Sequence, residues 1–138
     1  MHGAPGYASG GQPTQAQLAV AARNGLQQII NLRPASEDAG FDEAGAAARL
    51  GLRYTVLGIA GPQDLTIENV RRFDALLAQS QGVPTLVHCG SGNRVGAMIA
   101  LRAGWLQGAP TSEALATGRC WGLTKLEPVV SQLLTEKA

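Results

Sequence analysis

The chain is poor in cysteine, aromatics and charge. Cysteine occurs only at 89 and 120 of the 138 residues, which excludes a disulfide-stapled framework and a four-cysteine zinc site. Aromatic residues make up 4%, and no basic stretch is interleaved with them, so a stacking platform for nucleic acid is excluded. Trp105 and Trp121 therefore read as core or rim residues. Charged residues are 15%, with 11 Lys and Arg against 10 Asp and Glu and a formal net charge of +1. Such a balance gives no whole-molecule attraction to nucleic acid or to an acidic membrane, and any anion site must be built locally. No apolar run approaches the roughly 18 residues of a membrane span. No group of side chains has metal-ligand spacing, so neither a metal nor another cofactor is expected. The first residues, MHGAPGYASGGQPT, lack the basic start and apolar stretch of a secretory signal, and the cytoplasm is the expected compartment. The sequence is silent on oligomeric state.

What is present fits a single domain over residues 1–138, large enough to bury a core without staples. The first ten or so residues read as an irregular lead-in. Thr14 is a helix cap before an apolar pattern at Leu18, Ala19, Ala21 and Ala22 that Gly25 stops. Residues 26–32, 52–57 and 84–88 read as short strands, the adjacent Ile29 and Ile30 indicating a strand covered on both faces. Helices are predicted over 42–50, over 66–81 behind a Thr66 cap, and over 111–117. The segment VGAMIALRAGWLQ is apolar nearly all round and reads as a central, buried helix over 95–107. A last helix opens at Thr124, where Thr-Lys-Leu-Glu has the form of a capping box. Strands alternating with helices predict a three-layer α/β fold, with a mainly parallel central sheet and helices on both faces.

Chemistry concentrates in His88-Cys89-Gly90-Ser91-Gly92-Asn93-Arg94. A strand delivers a thiol to a tight loop at its carboxyl end, where parallel sheets bind ligands, and the loop opens a buried helix. Gly90 and Gly92 let the backbone curl with its amides turned inward, and the helix N-terminus adds unpaired N–H groups and partial positive charge. Arg94 can close the ring with a planar fork suited to a tetrahedral oxyanion, such as phosphate or sulfate. The same field favours thiolate over thiol at Cys89. Ser91 and Asn93 either donate side-chain hydrogen bonds to the anion or shape the turn. His88, one residue before Cys89, should point to the opposite face of the sheet and hold the loop by bonding its backbone. Arg33 and Glu37 follow the first predicted strand on the same rim, where either could touch a substrate, a surface salt bridge being the commoner outcome for such charges. Cys120 could resolve an oxidised Cys89 but lacks comparable surroundings and reads as packing, and His2 as tail.

The segment LVHCGSGNRVGAMIALRAG resembles the signature of cysteine-dependent phosphatases of the protein tyrosine and dual-specificity type. It is more similar still to the bacterial phosphatase-like domain of beta-lactamase hydrolase-like proteins. SGGQPTQAQL, IINLRP and GRCWGLT fit the same family. The resemblance implies a protein tyrosine phosphatase-like fold, no cofactor, and hydrolysis of phosphate monoesters through a phosphocysteine on Cys89. It also implies a general acid upstream of the cysteine, and Asp64 in GPQDLT is the best-placed candidate; its alternative is a solvated turn residue.

Two features depart from the phosphatase pattern. Four residues separate Cys89 from Arg94 where five are usual, and Val95 follows Arg94 where many phosphatases carry Ser or Thr. A four-residue gap is similar to the loop of rhodanese-type sulfurtransferases. The sequence thus leaves open a phosphatase, a sulfurtransferase carrying a persulfide on Cys89, and a non-catalytic anion-binding module.

Overall fold

The computed structural model describes residues 7–34, 40–90 and 92–136, with the backbone alone for 7–10. The elements in chain order are β1 (Tyr7–Gly10), α1 (Gln15–Arg23), β2 (Gln28–Asn31), α2 (Glu43–Arg49), β3 (Arg53–Val56), α3 (Ile67–Gln79), β4 (Thr85–His88), α4 (Asn93–Leu101), α5 (Thr111–Cys120) and α6 (Glu127–Glu136). A 3-10 turn covers Pro62–Asp64, and a π turn, Arg102–Leu106, extends α4. The four strands form one sheet in the order β1-β4-β2-β3, and every pairing is parallel.

Side-chain alternation along the two central strands assigns the layers. Ile29 and Leu86 point to one face, where they bury with Leu18 of α1 and Ala47 of α2. Ile30 and Val87 point to the other, packed with Phe73 of α3, Met98 of α4, Leu115 of α5 and Val130 of α6. The expected three-layer α/β arrangement is therefore present. α4 is central as expected, every residue from Val95 to Leu101 being buried.

Local chemistry explains the starts of α1, α2 and α3. Thr14 and Gln17 form a complete capping box at α1, and the Thr66 hydroxyl accepts the Asn69 N–H at α3. Asp42 accepts the Gly45 N–H at the start of α2.

Four expectations need correction. The lead-in contains β1, which pairs with β4 from Tyr7 opposite Thr85 to Gly10 opposite His88. A four-residue edge strand, Tyr-Ala-Ser-Gly, carries too little side-chain pattern to announce itself. α5 continues to Cys120, three residues past its expected end. The last helix begins at Glu127 rather than Thr124, and the donor and acceptor of one of the two bonds of the expected capping box have other partners. The Thr124 N–H donates to Asn93 Oδ1, and the Glu127 carboxylate takes both Nε and Nη2 of Arg119 at 2.7 Å. The end of the 95–107 segment is a π turn, with Arg102 Nε bonded 2.7 Å from Asp74 Oδ1 of α3. Among the described residues no helix is long and apolar enough to cross a membrane.

Candidate active site

Cys89 follows the last residue of β4, a strand with neighbours on both sides, and is fully buried. The chain then turns through Gly90 to Gly92, whose φ of +87° lies in the left-handed region that a side chain would strain. Gly92 heads α4 without any side-chain cap, and its N–H donates to Cys89 Sγ at 3.1 Å. A hydrogen bond from an amide at a helix start stabilises a sulfur carrying negative charge. Arg94, in the first turn of α4, folds back over the loop: a carbon placed on Gly90 would lie 3.1 Å from its Nη2. Its Nη1 donates to the carbonyl of Ile59 at 2.8 Å. Cys89, Gly90, Gly92 and Arg94 thus come together as the sequence indicated. Ser91 lies outside the described residues, as do Glu37 and His2.

The Ile59 contact brings the segment after β3 to the rim of the loop. Asp64 belongs to this segment, within the 3-10 turn. Its Oδ2 accepts the Ala60 N–H at 2.9 Å, and its carbonyl accepts from Asn69 Nδ2 at 2.9 Å. Asp64 therefore shapes the very loop that Arg94 touches.

The Asn93 side chain reaches past the turn to distant partners, which neither of its two expected roles foresaw. Its Oδ1 accepts the N–H groups of Thr124 and Leu126 at 2.9 and 3.2 Å, which ties the start of α4 to the segment entering α6. Glycines make this contact close. A carbon on Gly122 would come within 2.8 Å of the Gly92 carbonyl oxygen, and one on Gly96 would collide with the backbone of Leu123. The GRCWGLT segment is thus the backing of the Cys89 loop.

His88 is buried on the face opposite Cys89, as its alternation predicts, but its partner is not the loop backbone. Its Nε2 lies 2.5 Å from Oε2 of Glu43, a residue at the start of α2 that is 4% exposed. The expectation failed because nothing local in the sequence marks Glu43, 45 residues away, as the group brought under β4. Glu43 Oε1 accepts from Gln12 Nε2 at 2.7 Å. Burial works against the charge on Glu43, yet the hydrogen bonds from His88 and Gln12, with the charges of His88 and Arg33, outweigh it and hold the carboxyl below its usual range. Arg33 is not a surface residue either. It is 8% exposed, and its Nη1 donates to Gln12 Oε1 at 2.5 Å. Cys120, expected as packing, is exposed at the end of α5. Among the described residues no group of His, Cys, Asp and Glu could hold a metal ion.

A parallel sheet with a buried thiol at the head of a glycine-led helix, and an arginine folded over the loop, is the arrangement expected of a protein tyrosine phosphatase-like domain. Residues 6–125 match the family model described as a DSP-PTPase phosphatase fused to NAD+ kinase, and the chain belongs to that family. The chain is 38% identical over 95 residues to a beta-lactamase hydrolase-like protein of Xylella fastidiosa, covering 66% of this chain. It spans about a fifth of that relative (22%). Among solved structures, a candidate phosphatase (DUF442) from Shewanella putrefaciens CN-32 aligns with a TM-score of 0.74 and 26% identity, over 100% of this chain and 87% of that one. A candidate phosphatase from Neisseria meningitidis Z2491 aligns with a TM-score of 0.77 and 21% identity, over 100% of this chain and 94% of that one.

Proposed function

We propose that Cys89 is the nucleophile of this phosphatase, Arg94 and the loop amides its oxyanion site, and Asp64 its general acid. The observation that carries this reading is the Gly92 N–H directed at Cys89 Sγ, beside an arginine folded over the same loop. The thiolate attacks the phosphorus of a phosphate monoester in line, and the bond from phosphorus to the ester oxygen breaks. Asp64, protonated at that moment, gives its proton to the departing alkoxide. The Asp64 carboxylate then takes a proton from water, whose oxygen attacks the phosphocysteine. The phosphorus–sulfur bond breaks, releasing inorganic phosphate and the thiolate. Arg94 and the amides of residues 90–94 stabilise the equatorial oxygens in both steps. Gly90, Ser91, Gly92 and Asn93 serve through their backbone N–H groups, and the substrate is a phosphate ester. The four-residue spacing makes a compact ring, which supports transfer of sulfane sulfur as the competing reading.

Phosphate release from a simple aryl phosphate, followed from about pH 5 to 8, tests the proposal. The parent protein should turn over, and Cys89→Ser should lose at least about 10⁴-fold, as removal of a nucleophile does. Turnover that survives in Cys89→Ser sinks the reading. Asp64→Asn should lower phosphate release by about 10²-fold. A parent that moves sulfur from thiosulfate to a thiol, without releasing phosphate, and an Asp64→Asn variant that does so equally well, would make sulfur transfer the function.

A further inference from the structure

The reaction above uses only one side of the end of β4. The other side holds a buried polar cluster that the reaction leaves unused. Glu43, 4% exposed, has both carboxylate oxygens engaged, Oε2 by His88 Nε2 at 2.5 Å and Oε1 by Gln12 Nε2 at 2.7 Å. His88 immediately precedes Cys89. Gly90 immediately follows it, and the Gly90 carbonyl accepts the backbone N–H of Gln12 at 3.1 Å. Both chain neighbours of the cysteine are therefore tied, directly or through Gln12, to one carboxylate. The cluster is braced across the sheet. Gln12 Oε1 accepts from Arg33, the Arg33 N–H donates to Asn31 Oδ1 at 2.9 Å, and Asn31 Nδ2 donates to the Tyr54 hydroxyl at 2.8 Å. His88 Nδ1 has no hydrogen-bond partner among the described residues, so the orientation of the ring rests on Glu43.

A buried ionic cluster of this kind is not favoured for stability, since apolar side chains of similar volume commonly do as well or better. What it supplies is one defined position. Loop amides must stand within about 0.5 Å of their working places, and a displacement of about 1 Å can cost on the order of 10²-fold in rate.

We propose that Glu43 is a positioning residue for the Cys89 loop, acting through His88 on one side of the cysteine and through Gln12 and Gly90 on the other. The proposal rests on Cys89 as the nucleophile. Because charge on the equatorial oxygens is best matched in the transition state, displaced amides should lower kcat and leave KM nearly unchanged.

The test compares the full chain with Glu43→Gln, which keeps the size of the side chain and removes its charge. Aryl phosphate kinetics, inhibition by orthovanadate and by orthophosphate, and the thermal midpoint are read together. Vanadate adopts the trigonal-bipyramidal shape of the transition state and orthophosphate does not. Glu43→Gln should lose about 10-fold or more in kcat and in vanadate affinity, with KM and phosphate inhibition within about threefold of the parent. A lower midpoint, with unchanged kcat per folded molecule, overturns the proposal. So does equal weakening of the two anions. Should Glu43→Gln fail to fold, Gln12→Met at a half-buried position cuts one arm of the clamp; it should give the same pattern at smaller amplitude, and unchanged kcat there also overturns the proposal. A parent inactive on the aryl phosphate defeats the functional reading instead. Vanadate protection of Cys89 against iodoacetamide, with exposed Cys120 as the internal reference, then reads the loop: weaker protection in Glu43→Gln supports the clamp and equal protection overturns it.

Discussion

Two helix starts in this molecule are built in opposite ways. At α1 the Thr14 hydroxyl accepts the Gln17 N–H at 3.1 Å and the Gln17 side chain accepts the Thr14 N–H at 2.9 Å, so the end is closed by its own residues. At α4 the leading residue is Gly92, which has no side chain to offer and whose N–H turns to a sulfur. The first four N–H groups of any helix lack partners inside it. A helix that serves only packing satisfies them locally, whereas one that binds an anion keeps them for the ligand. In α4 what replaces the cap is external bracing. Asn93 holds the segment before α6, and Gly96 and Gly122 admit that segment closely.

The contrast can be broken at several points, the largest effect coming at Arg94. Arg94→Lys keeps the charge and loses the planar fork, and kcat should fall by about 10²- to 10³-fold, in line with loss of an oxyanion donor. Thermal denaturation should show the folded state intact. Gly92→Ala puts a side chain at φ of +87° and should cost roughly 1–2 kcal/mol in stability, measured by urea unfolding, together with weaker orthophosphate binding. The mirror experiment is Thr14→Ala. It removes a true cap, should cost about 1 kcal/mol in the same unfolding assay, and should leave aryl phosphate kinetics unchanged. Equal effects of Gly92→Ala and Thr14→Ala on turnover would erase the distinction between the two helix starts.

The smallest effect concerns a third helix start, that of α2, where Glu43 turns inward to His88. Its carboxyl lies lower in the folded chain than the ordinary value of 4.5: burial opposes the charge, but the bonds from His88 and Gln12 prevail. The folded state then binds fewer protons than the unfolded one, so this group stabilises the fold above about pH 4.5 and the contribution is lost as pH falls through the lower folded value. Glu43→Gln should therefore show a smaller drop in thermal midpoint between about pH 6 and 3.5 than the parent does.

Much of the site was legible because its parts are adjacent in the chain. Cys89, two glycines and Arg94 lie within six residues, and the apolar run after them announces a buried helix. Alternation along β4 also placed His88 and Cys89 on opposite faces. The partners were not legible. Glu43 looks like an ordinary acidic residue in the first turn of an Ala-rich helix, where the helix dipole alone would explain it. Arg33 looks like a surface charge until Gln12 and the strand ends enclose it. β1 is invisible by pattern because its pairing with β4, not its side chains, makes it a strand.

By itself, then, the sequence determined the class of fold, through the alternation of short apolar strands with helices, and the reactive loop, through residues whose chemistry acts on near neighbours. Tertiary structure alone decided which distant groups brace that loop: Gln12 and Glu43 beneath it, Ile59 at its rim, Gly122 and Leu123 behind it. The physical reason is that propensity and spacing act over a few residues. The partner of a buried charge is set only when strands distant in sequence align side by side and carry their following helices with them.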